Sequence, residues 1–335
     1  MTSYERLISA IEFRTADRIP VFPLVMRFAA RFAGMTYRDY MMSGDKLAEA
    51  QITCRERFGY DAVTVCSDAY RESDALGAVI DYPEEDAARP VRCALHSKEV
   101  LDRLEVPDPL KGHRMRERVE AVRQLKKHYG GKVPSFGWVE APFSGAAYMR
   151  GVEQFLIDLY EDPGFATKAI EFAYETELRF ALAQVDAGAD MIGAGDAAAS
   201  LLSPPLYERY ALPYAARMFR ELKSRGVHIK YHICGDTNHL LRAMARLGAD
   251  IINLDFMVDL KAAREAFGPS TAIKGNVNPV MVESLSPSEL ISRLQECAGQ
   301  AGRLGYIISP GCEVTPDTPY ENMDAMIETA FKIQY

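Results

Sequence analysis

The sequence predicts a (β/α)8 barrel formed by a single domain over residues 1–335, and three observations predict it. Short apolar runs alternate with long amphipathic ones from end to end, the pattern of parallel strands joined by helical crossovers. Eight such units fit a chain of 335 residues, a length such a barrel commonly takes. Polar and metal-ligating side chains gather just past the ends of the apolar runs, where a barrel places its βα loops and its chemistry.

Met1–Arg14 opens the chain as a helix, with apolar and charged residues at helical spacing. The eight strands are expected at Ile19–Pro23, Ala62–Cys66, Ser135–Glu140, Met191–Ala194, Ile229–Cys234, Ile251–Leu254, Thr271–Lys274 and Tyr306–Ser309. Between the second and third lies Pro83–Gly131, which is charged, contains proline and reads as helical without a strand. It is expected to be a helical insertion covering one mouth of the barrel. The crossovers come from Glu153–Ala187, Pro205–Arg225, Asn238–Leu247, Leu260–Phe267 and Pro287–Ala301. Gly-Ala-Asp recurs at Gly188–Asp190 and Gly248–Asp250, each just before a strand, where a glycine closes the preceding helix.

Composition excludes several function classes. A hydrophobic content of 48% supports a large core, and a net charge of −8 argues against a nucleic-acid surface, which needs clustered Lys and Arg. Six cysteines without paired short spacing read as reduced thiols rather than a disulfide framework. The N-terminus lacks a signal-type apolar run, and no stretch approaches the ~18 uninterrupted apolar residues of a membrane span. The expectation is a soluble, cytoplasmic small-molecule enzyme that binds neither nucleic acid nor membrane.

The strongest chemical signal is split between two segments. His232-Ile233-Cys234-Gly235 ends the fifth strand, and Cys312 follows the eighth in Ser309-Pro310-Gly311-Cys312-Glu313. Residues i and i+2 of a strand share a face, so His232 and Cys234 both reach the mouth, and Cys312 approaches from across it. Two thiolates and an imidazole make a three-ligand set for zinc and leave a fourth tetrahedral position for substrate. Taken singly, each reads as a small buried hydrophobe or a satisfied core histidine; at two strand ends with glycine beside each, they read as one site. Cys54, Cys66, Cys93 and Cys297 are assigned to core or surface, and His239 to a cap or the surface.

The remaining strand-end groups carry two readings each. Asp68 is a helix N-cap or a catalytic carboxylate facing substrate, and Tyr148 packs or donates a hydrogen bond to it. Glu140, Asp196 and Asp255 are costly to bury unless paired or liganded. Glu140 and Asp196 are expected at the substrate, with a fourth metal ligand or a partner for His232 as other roles for these carboxylates. Asn276, in Gly275-Asn276-Val277-Asn278-Pro279, belongs to a turn or contacts substrate. Arg27 and Arg31 share a helix face and are solvated, ion-paired or anion-binding.

Several stretches together resemble the uroporphyrinogen decarboxylase superfamily over nearly the whole chain. They are Ile19-Pro20-Val21, Ser67-Asp68 with Asp74-Ala75-Leu76-Gly77, Ala141-Pro142-Phe143 leading to Tyr148-Met149, Lys274-Gly275-Asn276 with Pro279, and Pro316-Asp317-Thr318-Pro319-Tyr320-Glu321-Asn322. The resemblance implies a (β/α)8 barrel and one of two chemistries. Metal-free decarboxylases use an N-terminal arginine pair, the Asp after the second strand, the Tyr and a late His on a polycarboxylate porphyrinogen. Corrinoid-dependent methyltransferases carry a His-x-Cys and a late Cys that bind zinc. Here Gly311-Cys312 stands where the decarboxylases have Gly-His, and Arg27 and Arg31 lie in a longer register from Pro20-Val21, so the resemblance is to the methyltransferase branch.

That branch implies methyl transfer between the cobalt of a corrinoid, methylcobalamin as co-substrate or a corrinoid protein as partner, and a small-molecule thiol or methyl donor. Zinc on His232, Cys234 and Cys312 would activate the sulfur, and coenzyme M is the best-known acceptor. The alternatives are a uroporphyrinogen decarboxylase and a non-catalytic corrinoid-binding protein of the same fold. The oligomeric state is open, with a homodimer among the options.

Overall fold

A computed structural model describes residues 1–333. The strands are β1 (Val63–Thr64), β2 (Val79–Asp81), β3 (Arg89–Arg92), β4 (Ser135–Glu140), β5 (Met191–Gly195), β6 (His228–Ile233), β7 (Ile251–Leu254), β8 (Ala272–Lys274) and β9 (Tyr306–Ile307). Seven form one parallel sheet in the order β1-β4-β5-β6-β7-β8-β9. The eighth stave is the segment around Val21, which bridges Ile308 in parallel and whose carbonyl accepts from Asp61 N, closing the barrel between β9 and β1. Pro20 and Pro23 lack the N–H groups a full ladder needs, so this predicted strand survives only as an isolated bridge.

Alternation along the strands sorts the interior into layers. Phe22, Ala62, Phe136, Met191, Ile251, Ala272 and Ile307 form an apolar plug at the N-terminal end, and Leu7 and Ala10 of the helix Ser3–Ile11 seal it from below. Two residues further along, Trp138, Gly193, Lys230, Asn253, Lys274 and Ser309 make a polar layer. Glu140, Gly195, His232 and Asp255 come above it, at the mouth. Gly193 has a steric reason: a Cβ there would lie 2.5 Å from the Trp138 ring.

Three expectations need correction. Pro83–Gly131 was expected to be helical without a strand, but Arg89–Arg92 pairs with Val79–Asp81 as an antiparallel hairpin. Its residues are exposed, charged and proline-containing, so no apolar alternation announces it. The helix His113–Tyr129 in the same segment is the crossover from β1 to β4. The run Glu153–Ala187 is two helices, Val152–Glu161 and Pro163–Asp186, because Pro163 starts a new helix and Asp162 caps it through Phe165 N at 3.0 Å. Pro205–Arg225 likewise divides into Pro204–Tyr210 and Leu212–Lys223, with Pro213 at the start of the second.

Asp61 ties the bottom together. Its buried carboxylate accepts from Arg6 Nη1 at 2.6 Å, Arg18 Nη1 at 2.7 Å, Ser3 Oγ at 2.9 Å and Val21 N at 2.8 Å, joining the N-terminal helix, the closing segment and β1. Asp61→Ala leaves buried guanidinium groups without this partner, so urea unfolding should register a loss of about 3–5 kcal/mol. An unchanged midpoint would assign the anchoring elsewhere.

Candidate metal centre

β6 ends by presenting His232 and Cys234 on one face, and the loop after β9 brings Cys312 across from 78 residues away. The Cys234 Sγ lies 3.1 Å from His232 Nε2 and 3.6 Å from Cys312 Sγ, and the three donor atoms fall within 4.8 Å of one another. Tetrahedral zinc with Zn–S bonds of ~2.3 Å places two sulfurs roughly 3.8 Å apart, so the donor set fits this ion in spacing and chemistry. His232 Nδ1 is 3.0 Å from the Asn253 carbonyl, which can only accept. Nδ1 therefore carries the hydrogen and Nε2 turns its lone pair toward the sulfurs.

Cys312 approaches this closely because of Gly311, where any Cβ would sit 2.4 Å from Phe256 N. The Gly311 N–H donates to Val277 O at 2.8 Å, and its carbonyl accepts from Asn253 Nδ2 at 3.0 Å. The two thiols are hydrogen-bonded at 3.6 Å, and this bond draws Cys312 below the ordinary thiol range. The same bond and burial hold Cys234 above the ordinary thiol range. Both sulfurs are half-buried, so the site is recessed but reachable.

Beside these three side chains stands a wall of carboxylates around one arginine. Glu140, at the end of β4, accepts from Arg71 Nη2 at 2.8 Å, and Glu72 and Glu177 crowd the same guanidinium. Burial and the neighbouring Glu72 outweigh Arg71 and push Glu140 up to about 8. Burial, Glu72 and Glu140 raise Glu177 well above the carboxylate range. Burial favours the protonated form of both. Tyr148, on the helix Pro142–Arg150, packs edge-on to Tyr70 with centroids 5.6 Å apart. Burial holds its phenol proton in place.

The other predicted residues divide between mouth and scaffold. Asp68 is nearly buried and ion-paired to Arg114; burial opposes ionisation, but Arg114 and Arg71 prevail and hold it well below the usual carboxylate range. It also accepts from Tyr70 N at 3.0 Å, which fixes the start of the helix Arg71–Ala75. Asp196 is fully buried, accepts from Tyr231 Oη at 2.6 Å and Ser144 N at 3.1 Å, and is pushed up to about 6 by burial. Asn276 donates to the carbonyls of Asp255 and Val258 at 2.9 and 2.8 Å, closing the turn after β7. Arg27 meets Glu313, and Arg31 meets Asp317, so both tie the helix Arg27–Phe32 to the segment after Cys312. His239 Nε2 lies 3.0 Å from the Leu202 carbonyl, away from the three ligands.

Sequence reasoning missed Arg71, Asn253 and Glu313. Asn253 had a readable signal, a polar residue at an inward position of the apolar run Ile251–Leu254. Glu313 follows Cys312 directly and accepts from Arg27 N at 2.8 Å. Nothing local distinguishes Arg71 from an exposed helix arginine, yet it is fully buried.

Residues 2–333 match the family model described as Uroporphyrinogen decarboxylase (URO-D). A uroporphyrinogen decarboxylase of Myxococcus xanthus is 29% identical, with 98% of this chain and 96% of that protein covered. The methylcobamide:CoM methyltransferase MtbA of Methanosarcina acetivorans is 28% identical, with both chains covered in full. A solved methyltransferase from Methanosarcina mazei superposes with a TM-score of 0.89 at 23% identity over 99% of each chain, a likeness of fold. No helix among the described residues is long and apolar enough to cross a membrane.

Purified protein prepared without chelator is expected to hold about one zinc per chain by elemental analysis. Cys312→Ser should strip or loosen the metal with the far-ultraviolet circular dichroism unchanged, because a mouth residue carries little of the barrel's stability. Absence of any transition metal in the parent protein would sink the assignment.

Proposed function

The chain belongs to the uroporphyrinogen decarboxylase family, and within it we propose a zinc-dependent methyltransferase that moves a methyl group between the cobalt of a corrinoid and a small-molecule thiol or related methyl donor. The observation that carries this reading is the convergence of His232, Cys234 and Cys312 at the barrel mouth. The relative named methylcobamide:CoM methyltransferase, which matches over its full length, supports it. Methylcobalamin, carried on a corrinoid protein, is the co-substrate, and the six free thiols suit the reducing cytoplasm.

His232 Nε2 and the two sulfurs would hold the ion with one position facing the mouth. Zinc bound there would supply Lewis acidity, keeping a substrate sulfur as thiolate at neutral pH. The chain's own residues shape the approach. Glu140 and Tyr148, each retaining its proton, donate hydrogen bonds to the bound substrate rather than acting as bases. Arg71 holds Glu140 in place, and Asp68 acts one step back by fixing the turn that seats Tyr70 against Tyr148. Asp196 and Asn276 support the substrate-facing walls through Ser144 and the turn after β7.

The decarboxylase alternative has Asp68 and the 29% relative in its favour. Against it, Cys312 stands where the decarboxylases carry a late His, and Asp68 is already paired with buried Arg114.

Methylcobalamin and a panel of thiols, coenzyme M first, should change the absorbance of the cobalt chromophore when the zinc-loaded enzyme is added. Cys234→Ala should abolish that change and Asp68→Asn weaken it less. Uroporphyrinogen should not be consumed without metal. A zinc-loaded enzyme that leaves the cobalt spectrum unmoved with every thiol and methyl donor would end the corrinoid reading, and a four-carboxylate product would replace it with decarboxylation.

A further inference from the structure

The three candidate metal ligands come from two chain segments, and one buried residue is bonded to both, by its backbone to one and by its side chain to the other. Asn253 lies on β7 with its Cα paired to His232 on one side and to Lys274 on the other. Its backbone carbonyl takes the hydrogen of His232 Nδ1 at 3.0 Å. Its side-chain Nδ2 donates to the carbonyl of Gly311 at 3.0 Å, immediately before Cys312. Its Oδ1 accepts from Lys274 Nζ, and the same amino group donates to Ser309 Oγ at 2.8 Å, three residues before Cys312.

We propose that Asn253 is a positioning residue for the metal centre, holding the loop ligand Cys312 at bonding distance from the strand ligands His232 and Cys234. The inference rests on the metal assignment made above. Its physical content is that the side chain must donate to one partner and accept from another at the same time. An asparagine amide does both at this length. Aspartate keeps the shape and the bond to Lys274 but turns an acceptor toward the Gly311 carbonyl. Leucine keeps the bulk and loses both bonds. The backbone bond to His232 survives either change, so each variant tests the Gly311 arm.

The test measures zinc affinity by competition with a chromophoric chelator, and the sulfur-to-metal charge-transfer band of the cobalt(II)-substituted protein. Asn253→Asp and Asn253→Leu are each expected to weaken zinc binding about 10–100-fold. The charge-transfer intensity per cobalt should fall toward the value of Cys312→Ser. Asn253→Asp also strengthens its contact with Lys274, so its unfolding midpoint should stay near the parent's while its metal affinity drops. Combining Asn253→Asp with Cys312→Ser should add little further loss, because the asparagine acts through that cysteine. Unchanged affinity in both single variants, or fully additive losses in the double variant, overturns the proposal. A parent protein that binds zinc tightly but transfers no methyl group overturns the reaction and leaves the positioning role standing; a parent that binds no zinc overturns both.

Discussion

Two lysines are buried inside the barrel beneath the thiols, and much of the interior is arranged around them. Lys230 and Lys274 have no exposed surface; burial brings Lys230 down to about 8, and burial with the neighbouring Lys230 holds Lys274 well below the ordinary lysine range. Uncompensated charge at such depth is costly. Lys230 rests 4.4 Å from the Trp138 ring centroid, an arrangement possible only because residue 193 has no side chain. Lys274 is satisfied by Asn253 and Ser309. The neighbouring groups able to carry opposite charge are the sulfurs of Cys66, Cys234 and Cys312. Of these sulfurs only Cys312 is drawn toward the anionic form, by its bond to Cys234.

Depth in the barrel therefore separates stability from chemistry. The lowest layer is apolar, sealed by a helix and fastened by Asp61, whose carboxylate accepts from Ser3, Arg6, Arg18 and Val21. The middle layer holds fixed charge and the asparagine that spans the ligand segments. The top layer leaves donors pointing into the mouth. Arg71 shows how closely the wall is balanced: Glu72, Glu140, Glu177 and Asp68 all act on one guanidinium, and burial raises Glu140 and Glu177 while Asp68 is held low. A second full negative charge there would face the thiols without a counter-ion.

The barrel was legible from periodicity because its parallel strands are buried on both faces and its crossovers are amphipathic. β4 and β7 fall where the sequence places them, to the residue. The hairpin at Val79–Asp81 and Arg89–Arg92 was not legible, because an exposed charged edge carries no apolar alternation. The closing strand was legible in position but not in form, since its prolines remove ladder donors.

The sequence by itself determined the fold class and the three side chains, His232, Cys234 and Cys312, that converge at the mouth. Period-2 parity puts His232 and Cys234 on one face, and glycine beside each cysteine marks a close approach. Only the tertiary structure decided which polar residues reach the mouth and which serve as scaffold. Asp68, Asp196 and Asn276 look alike in one dimension, each a polar group at a strand end. Arg114, Tyr231 and the carbonyls after β7 claim them from residues distant in sequence, and a buried polar group's role follows from the partner that satisfies it.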